Sequence, residues 1–231
     1  DPAYDESAFA RGIAEFLGTQ HTELIVKPNP SDMLERLAQA YDQPFADSSA
    51  IPTLLLSELA SRDVVVALSG DGGDEAFGGY ERYIAAPVLQ RLNPAWHLLA
   101  PISKRLVALA DRTGRRRLVR IARDLRPRPS LSARYRGLME YQPLELRARL
   151  WTMEAGHEVD LESTSAAFNQ RWDEFSHLKP LNVMRAIDLK TYLPGDVLSK
   201  VDVASMSYSL EVRSPMLDQE VLALTARIAP S

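Results

Sequence analysis

The sequence predicts an α/β chain: a parallel sheet flanked by helices over residues 1–87, followed by a mainly helical part over residues 88–231. Three observations carry this. Segments with helical apolar spacing alternate with short apolar runs of strand length, the pattern of a parallel sheet covered by helices. A β-branched run at residues 63–68 opens directly into a glycine-rich loop, as a buried strand does. After Pro87 the composition shifts to Leu, Ala and Arg, with few strand signals.

The elements follow in order. Phe9, Ile13, Phe16 and Leu17 fall at helical spacing, so residues 5–17 form a helix with Asp5 as its N-cap and Gly18 as its stop. Residues 22–26 read as a short buried strand. Ser31 is placed to cap a second helix that carries Leu34, Leu37, Ala38 and Tyr41 on one face. Residues 42–52 are a polar loop with two prolines, 53–62 a helix, and 63–68 a buried strand. Ligands of parallel sheets bind beyond the carboxyl ends of the strands, which is where the loop starting at Ser69 falls. Residues 88–150 read as helices and connecting loops, and 151–179 as helix with polar breaks. Val183, Ile187 and Leu189 mark a helix over 182–193 that stops at Pro194-Gly195, and a last helix covers 219–228.

Composition narrows the function classes. The 231 residues, 45% hydrophobic and 25% charged, suffice for one large domain or a domain with a subdomain. The longest apolar run, residues 64–68, has strand length, so no membrane partner is expected, and a cytoplasmic location fits. The absence of cysteine removes disulfides, thiolate zinc sites and a Cys nucleophile. A net charge of −4 does not suit nucleic acid as a partner. The local basic run, with Arg115, Arg116, Arg117, Arg120, Arg123, Arg126 and Arg128, lies among few aromatics. It reads as a solvated helical face or a docking surface for a partner domain. The chain opens on Asp1-Pro2 without an initiator Met, as a processed product or an excised piece would.

Three motifs carry chemistry. In Ser69-Gly70-Asp71-Gly72-Gly73-Asp74-Glu75 the glycines let the backbone approach a ligand, and exposed amides can face a nucleotide. Three carboxylates crowd this loop with no Lys or Arg. Two carboxylates about 5 Å apart repel by roughly 3 kcal/mol at an effective dielectric of about 20. Such crowding makes sense around a cation, and Mg2+ beside phosphates takes one or two carboxylates. A solvated acidic turn is the plain alternative. The second motif, residues 41–52, sets Asp47, Ser48 and Ser49 before a helix, where they serve an anionic ligand or simply cap the helix. The third, residues 192–218, mixes Lys200, Asp202, Glu211 and Arg213 with apolar residues, as a site or as a structural ion-pair network would.

Together, SGDGGDEAFGGYERY, YDQPFADSSAIPT and LSKVDVASMSYSLEVRSPMLD resemble the synthetase domain of glutamine-hydrolysing asparagine synthetases in order and separation. The resemblance covers nearly the whole chain and is weakest across the Arg-rich middle. It implies an ATP-pyrophosphatase-type fold, adenine nucleotide alpha-hydrolase-like, with both parts of the chain in one synthetase domain. It implies activation of aspartate or another carboxylate by ATP as an acyl-adenylate, which ammonia attacks. By residue, it places Ser69, Gly70 and Gly72 on ATP, makes Asp71 the catalytic acidic residue, and gives Mg2+ to Asp74. Where the family often has Glu, Asp71 has a shorter arm. Asp47, Ser48, Ser49, Lys200 and Arg213 stand on the substrate or phosphate side. Relatives that form β-lactams, cyclise peptides or amidate sugar acids share the fold, and a non-catalytic partner-binding domain is the rival from another class. A homodimer is left open.

The family's S-G-G-x-D-S pyrophosphate loop does not occur in the sequence, nor does a Cys-dependent glutaminase domain, the family's source of ammonia. The family's catalytic lysine is expected beyond Ser231. Residues 1–231 alone are therefore expected to make no amide; a nucleotide-dependent assay on them should detect no pyrophosphate release.

Overall fold

The computed structural model describes residues 5–23, 30–95, 98, 101–102, 105, 124–140, 142, 150 and 163–228. Residues 24–26 of the strand expected at 22–26, and the basic run from Arg115 to Arg123, lie outside these; Thr22 and Glu23 are exposed and not in a strand. The described chain is rich in helix, with one two-stranded sheet, and divides into two compact units: residues 1–67 with 200–211, and residues 68–199 with 212–231. No described helix is long and apolar enough to cross a membrane.

In the first unit, α1 (Ser7–Leu17) ends at Gly18 with φ 65°, as its apolar spacing predicts. Asp5 accepts the Ser7 N–H at 3.0 Å, one step outside the N-cap position held by Glu6. Helix α2 (Pro30–Ala40) starts one residue before Ser31, since proline is preorganised for a first helical turn. Helix α3 (Ala50–Ala60) starts three residues before the expected point. Its Pro52 sits in the first turn, where an N–H has no intrahelical partner to lose. Arg36 on α2 joins α3 by bonding the Glu58 carboxylate, and it also donates to the Tyr208 hydroxyl.

Strand β1 (Val66–Leu68) covers only half of the expected run and is not buried: Val66 is 39% and Leu68 74% exposed. Among the described residues it pairs only with β2 (Glu211–Arg213). Glu211 N–H donates to the Val65 carbonyl at 3.0 Å and Ser69 N–H to the Arg213 carbonyl at 2.9 Å, a parallel register. A β-branched run is buried on both faces only where neighbouring layers cover it.

In the second unit, β1 runs into the short α4 (Gly73–Phe77) and then α5 (Glu81–Arg91), which continues through Pro87. Next come α6 (Leu131–Met139), α7 (Ser163–Glu174) and α8 (Pro180–Lys190). Pro194-Gly195 does not stop the chain. It lies in a π-helix, Leu193–Leu198, after which the chain passes into α9 (Ser199–Met206), which from Lys200 on belongs to the first unit. Pro194 occupies its first turn, and the Ser199 hydroxyl donates to the Pro194 carbonyl at 2.7 Å. After β2, α10 (Gln219–Arg227) is capped by Asp218, which accepts the Glu220 N–H at 2.8 Å.

The core of this unit joins Tyr83 and Ala86 of α5, Tyr135 of α6, Trp172 of α7, and Val183, Met184 and Ile187 of α8. At its centre lies a carboxylate, Asp188, with no exposed surface. Its Oδ2 accepts from Arg82 Nη2 at 2.6 Å, the Tyr83 hydroxyl at 2.7 Å and the Tyr135 hydroxyl at 2.6 Å. Burial and the adjacent Asp188 charge push both phenols up from their ordinary range. Burial disfavours the Arg82 charge, but Asp188 and Tyr135 outweigh it and hold the guanidinium cationic. Arg82 also lies 3.5 Å over the Tyr80 ring and 4.8 Å over that of Tyr192.

Candidate functional site

The loop between β1 and α4 follows from its glycines. Gly72, with φ 82°, would bring a Cβ within 2.0 Å of Leu217 Cδ2. Its bareness therefore makes room for Leu217 under the loop. Gly70 is different: it is exposed, and a Cβ there would meet nothing within 4 Å. The Gly73 N–H returns to the Gly70 carbonyl at 3.1 Å and closes the turn. Ser69 is tied to the end of β2 twice, through its N–H to the Arg213 carbonyl and through a 2.8 Å hydroxyl contact with Ser214.

The three carboxylates of this loop separate. Asp74 is exposed, and its carboxylate lies against Gly79, where a Cβ would come within 2.0 Å of Oδ1. Its carbonyl accepts the Gly78 and Gly79 N–H groups at 2.8 and 2.9 Å, which fixes α4 against the Gly78-Gly79 turn. Asp71 is partly exposed. Glu75 is 1% exposed and accepts the Tyr80 hydroxyl at 2.8 Å. Burial pushes the Glu75 carboxyl up, against the lowering effect of that hydrogen bond. Glu75 is thus an anchor inside the unit, and the crowd of three carboxylates becomes two that face outward. No group of three or more His, Asp and Glu side chains able to hold a metal occurs among the described residues. Asp71 and Asp74 fit Mg2+ in the manner of one or two protein carboxylates completed by phosphate oxygens and water.

The second cluster belongs to the first unit. Lys200 Nζ donates to Asp47 Oδ2 and to the Ser49 hydroxyl, both at 2.7 Å. Asp47 also accepts the Ser49 hydroxyl at 2.6 Å and the Ser49 N–H at 2.9 Å. The Tyr41 hydroxyl holds the Lys200 carbonyl at 3.0 Å, and Tyr41 stacks on Phe45 at 4.9 Å. Asp47 and Lys200 satisfy each other, and Ser48 remains exposed beside them. So Asp47, Ser48, Ser49 and Lys200 gather in one unit, and Ser69, Gly70, Asp71, Gly72, Asp74 and Arg213 in the other.

Burial raises the Asp47 pKa, but hydrogen bonds from Lys200 and Ser49 overcome it and leave Asp47 below the usual carboxylate range. As pH falls, the unfolded chain therefore takes up this proton first. The stabilisation is full above the unfolded pKa, about 3.9, and is lost as pH falls through the lower folded value. Lys200→Met should lower stability at neutral pH, with its pH–stability curve converging on that of the parent at acid pH. Curves separated by the same amount at every pH would contradict this.

Two buried charged residues escape a reading of sequence alone. Arg185 and Asp188 sit on the apolar side of α8, among Val183, Met184 and Ile187. The available signal was a pair of opposite charges three residues apart within an apolar stripe, which marks buried rather than solvated charge.

The asparagine synthase family model matches residues 1–231. The chain is 30% identical to asparagine synthetase [glutamine-hydrolyzing] 1 of Bacillus subtilis, over 97% of this chain and 34% of that protein. It is 32% identical to a putative asparagine synthetase [glutamine-hydrolyzing] of Mycobacterium tuberculosis, over 97% of this chain and 33% of that protein. An amidase of Gibberella zeae is 24% identical over 98% of this chain and 35% of its own length. The chain thus spans about a third of the length of the curated relatives it matches. No solved structure matches it.

Proposed function

The chain belongs to the asparagine synthase family, and from that premise we propose that it contributes to an ATP-dependent amide-forming ligase that converts aspartate to asparagine. The observation that carries this reading is the loop of residues 69–74, with outward-facing Asp71 and Asp74 beside an open Gly70 and a tethered Ser69. In the proposed reaction, the aspartate side-chain carboxylate attacks the α-phosphorus of ATP and pyrophosphate leaves. Ammonia derived from glutamine then attacks the acyl carbon, and AMP departs with the electron pair.

Residue roles follow the loop. Ser69, Gly70 and Gly72 shape the nucleotide contact. Asp71 is the catalytic carboxylate, and Asp74 would hold Mg2+, which when bound supplies positive charge against the phosphates. Asp47, Ser48, Ser49, Lys200 and Arg213 are proposed on the substrate side. For the Asp47–Lys200 pair, that role means holding Ser48 and Ser49 in place, because the two charges already neutralise each other. The fold proposed is the ATP-pyrophosphatase type, with residues 1–87 and 88–231 as parts of one synthetase domain, working in the cytoplasm.

A second reading keeps the chemistry and changes the carboxylate. It is favoured by amidase-named relatives that align over 98% and 100% of this chain. ATP–pyrophosphate exchange by the complete protein tests both. Exchange that depends on aspartate and Mg2+ supports the first reading, exchange that needs another carboxylate supports the second, and no exchange with any carboxylate removes the ligase assignment.

A further inference from the structure

We propose that Arg185 is a positioning residue for the acidic loop, acting through the backbone of α4 rather than through any contact with ligand. The proposal rests on the reading of that loop as a nucleotide and metal site. Arg185 is 8% exposed, and no carboxylate forms an ion pair with it among the described residues. Its donors go to carbonyls instead: Nε to Glu75 at 3.0 Å, Nη2 to Ala76, and Nη1 and Nη2 to Thr225 at 3.4 and 3.3 Å. Nη1 also reaches Asn182 Oδ1 at 3.4 Å. The carbonyl ends of α4 and α10 therefore converge on one guanidinium.

A buried charge without an anionic partner is costly. Carbonyl dipoles at helix C-termini offset part of that cost. What the guanidinium adds is geometry. Its planar fork reaches three carbonyls at once, which a Lys ammonium on its flexible stem holds less rigidly. Helix α4 is five residues long, too short to hold its own shape, and carries Asp74 in its first turn, directly after Asp71 and Gly72. Fixing the far end of so short a helix fixes the direction of the carboxylates at its near end. Glu75 and Tyr80 provide a side-chain tether for the same helix; Arg185 provides the backbone one.

The test uses Arg185→Gln and Arg185→Lys in the complete protein, with two readouts. The first is KM for MgATP in ATP–pyrophosphate exchange, which does not scale with the fraction of protein folded, whereas apparent kcat does. The second is amide hydrogen exchange of residues 69–79, with residues 131–139 as the reference segment. In Arg185→Gln we expect KM to rise roughly ten- to a hundredfold, the range of one lost charge-assisted hydrogen bond. Protection of 69–79 should fall while 131–139 stays protected, and Arg185→Lys should recover part of both. Unchanged protection of 69–79 would overturn the proposal, as would an unchanged KM with only kcat reduced. Equal loss of protection in both segments, in both variants, would assign Arg185 to global stability and also overturn it. Full exchange activity in Asp74→Ala would instead remove the reading of the loop, and the protection data would still decide the role of Arg185.

Discussion

Asp188→Ala is expected to destabilise the chain by about 3–5 kcal/mol, the cost of removing one partner from a buried ion pair. Three donors converge on Asp188 Oδ2, and each loses its acceptor at once: the Arg82 guanidinium and the hydroxyls of Tyr83 and Tyr135. Asp188 itself has no exposed surface, so water does not replace it without opening the core formed by α5, α6, α7 and α8. The Arg82 side chain is only 18% exposed and would be left charged, because a guanidinium does not deprotonate. Tyr83→Phe removes one bond to a charged acceptor and should cost about 1.5–3 kcal/mol; Tyr135→Phe also takes away the acceptor of Arg82 Nε at 2.9 Å and should cost more. If the uncompensated charge dominates, Arg82→Ala will cost far less in the Asp188→Ala background than in the parent, which a double-mutant cycle measures. Urea denaturation reads the four single variants and the double variant. A loss under about 1 kcal/mol for Asp188→Ala, the centre of the range for ordinary point substitutions, would show that the network is not the core of this unit.

Local punctuation explains what was legible in the sequence. The stop of α1 at Gly18, the helix of 219–227 and the turn that opens at Ser69 each depend on a few adjacent residues. The loop stood out in the sequence because glycines and carboxylates coincide in seven residues. Other features depend on neighbours distant in the chain. Val64, Val65 and Val66 were read as buried, yet hydrophobic content does not reveal how many layers surround a strand. Pro194-Gly195 read as a stop, but a proline in the first turn of a helical segment costs no hydrogen bond. Glu75 counted as one of three crowded carboxylates. Adjacent positions on a helix point about 100° apart, so Asp74 and Glu75 cannot face one ion alike. Only the meeting of Glu75 with Tyr80 decides which of the two turns inward. Arg185 and Asp188 stood out in no motif, and their burial became visible only with α5, α6 and α10 packed around them.

Asp74→Ala in the complete protein is expected to reduce ATP–pyrophosphate exchange at least about a hundredfold, since a metal ion at a reacting phosphate is worth several kcal/mol. In the proposed reading Asp74 is the carboxylate that holds that ion. It is exposed, it follows the open Gly70 turn, and its carboxylate lies against a residue without a side chain, Gly79. Its backbone is held by two hydrogen bonds from Gly78 and Gly79, so removing the carboxylate leaves α4 closed. The loss should therefore appear in activity with little change in unfolding midpoint, the reverse of Asp188→Ala. Asp74→Asn separates charge from shape. It keeps an oxygen in place but not the anion, so its exchange should need much higher Mg2+ and recover partly at saturating metal. Glu75→Gln supplies the contrast, because the amide oxygen still accepts from Tyr80 and no outward-facing ligand is lost. Its Mg2+ dependence should match the parent. Full-rate exchange in Asp74→Ala, or a Mg2+ requirement that shifts in Glu75→Gln instead, would move the metal to the carboxylate the structure places inside.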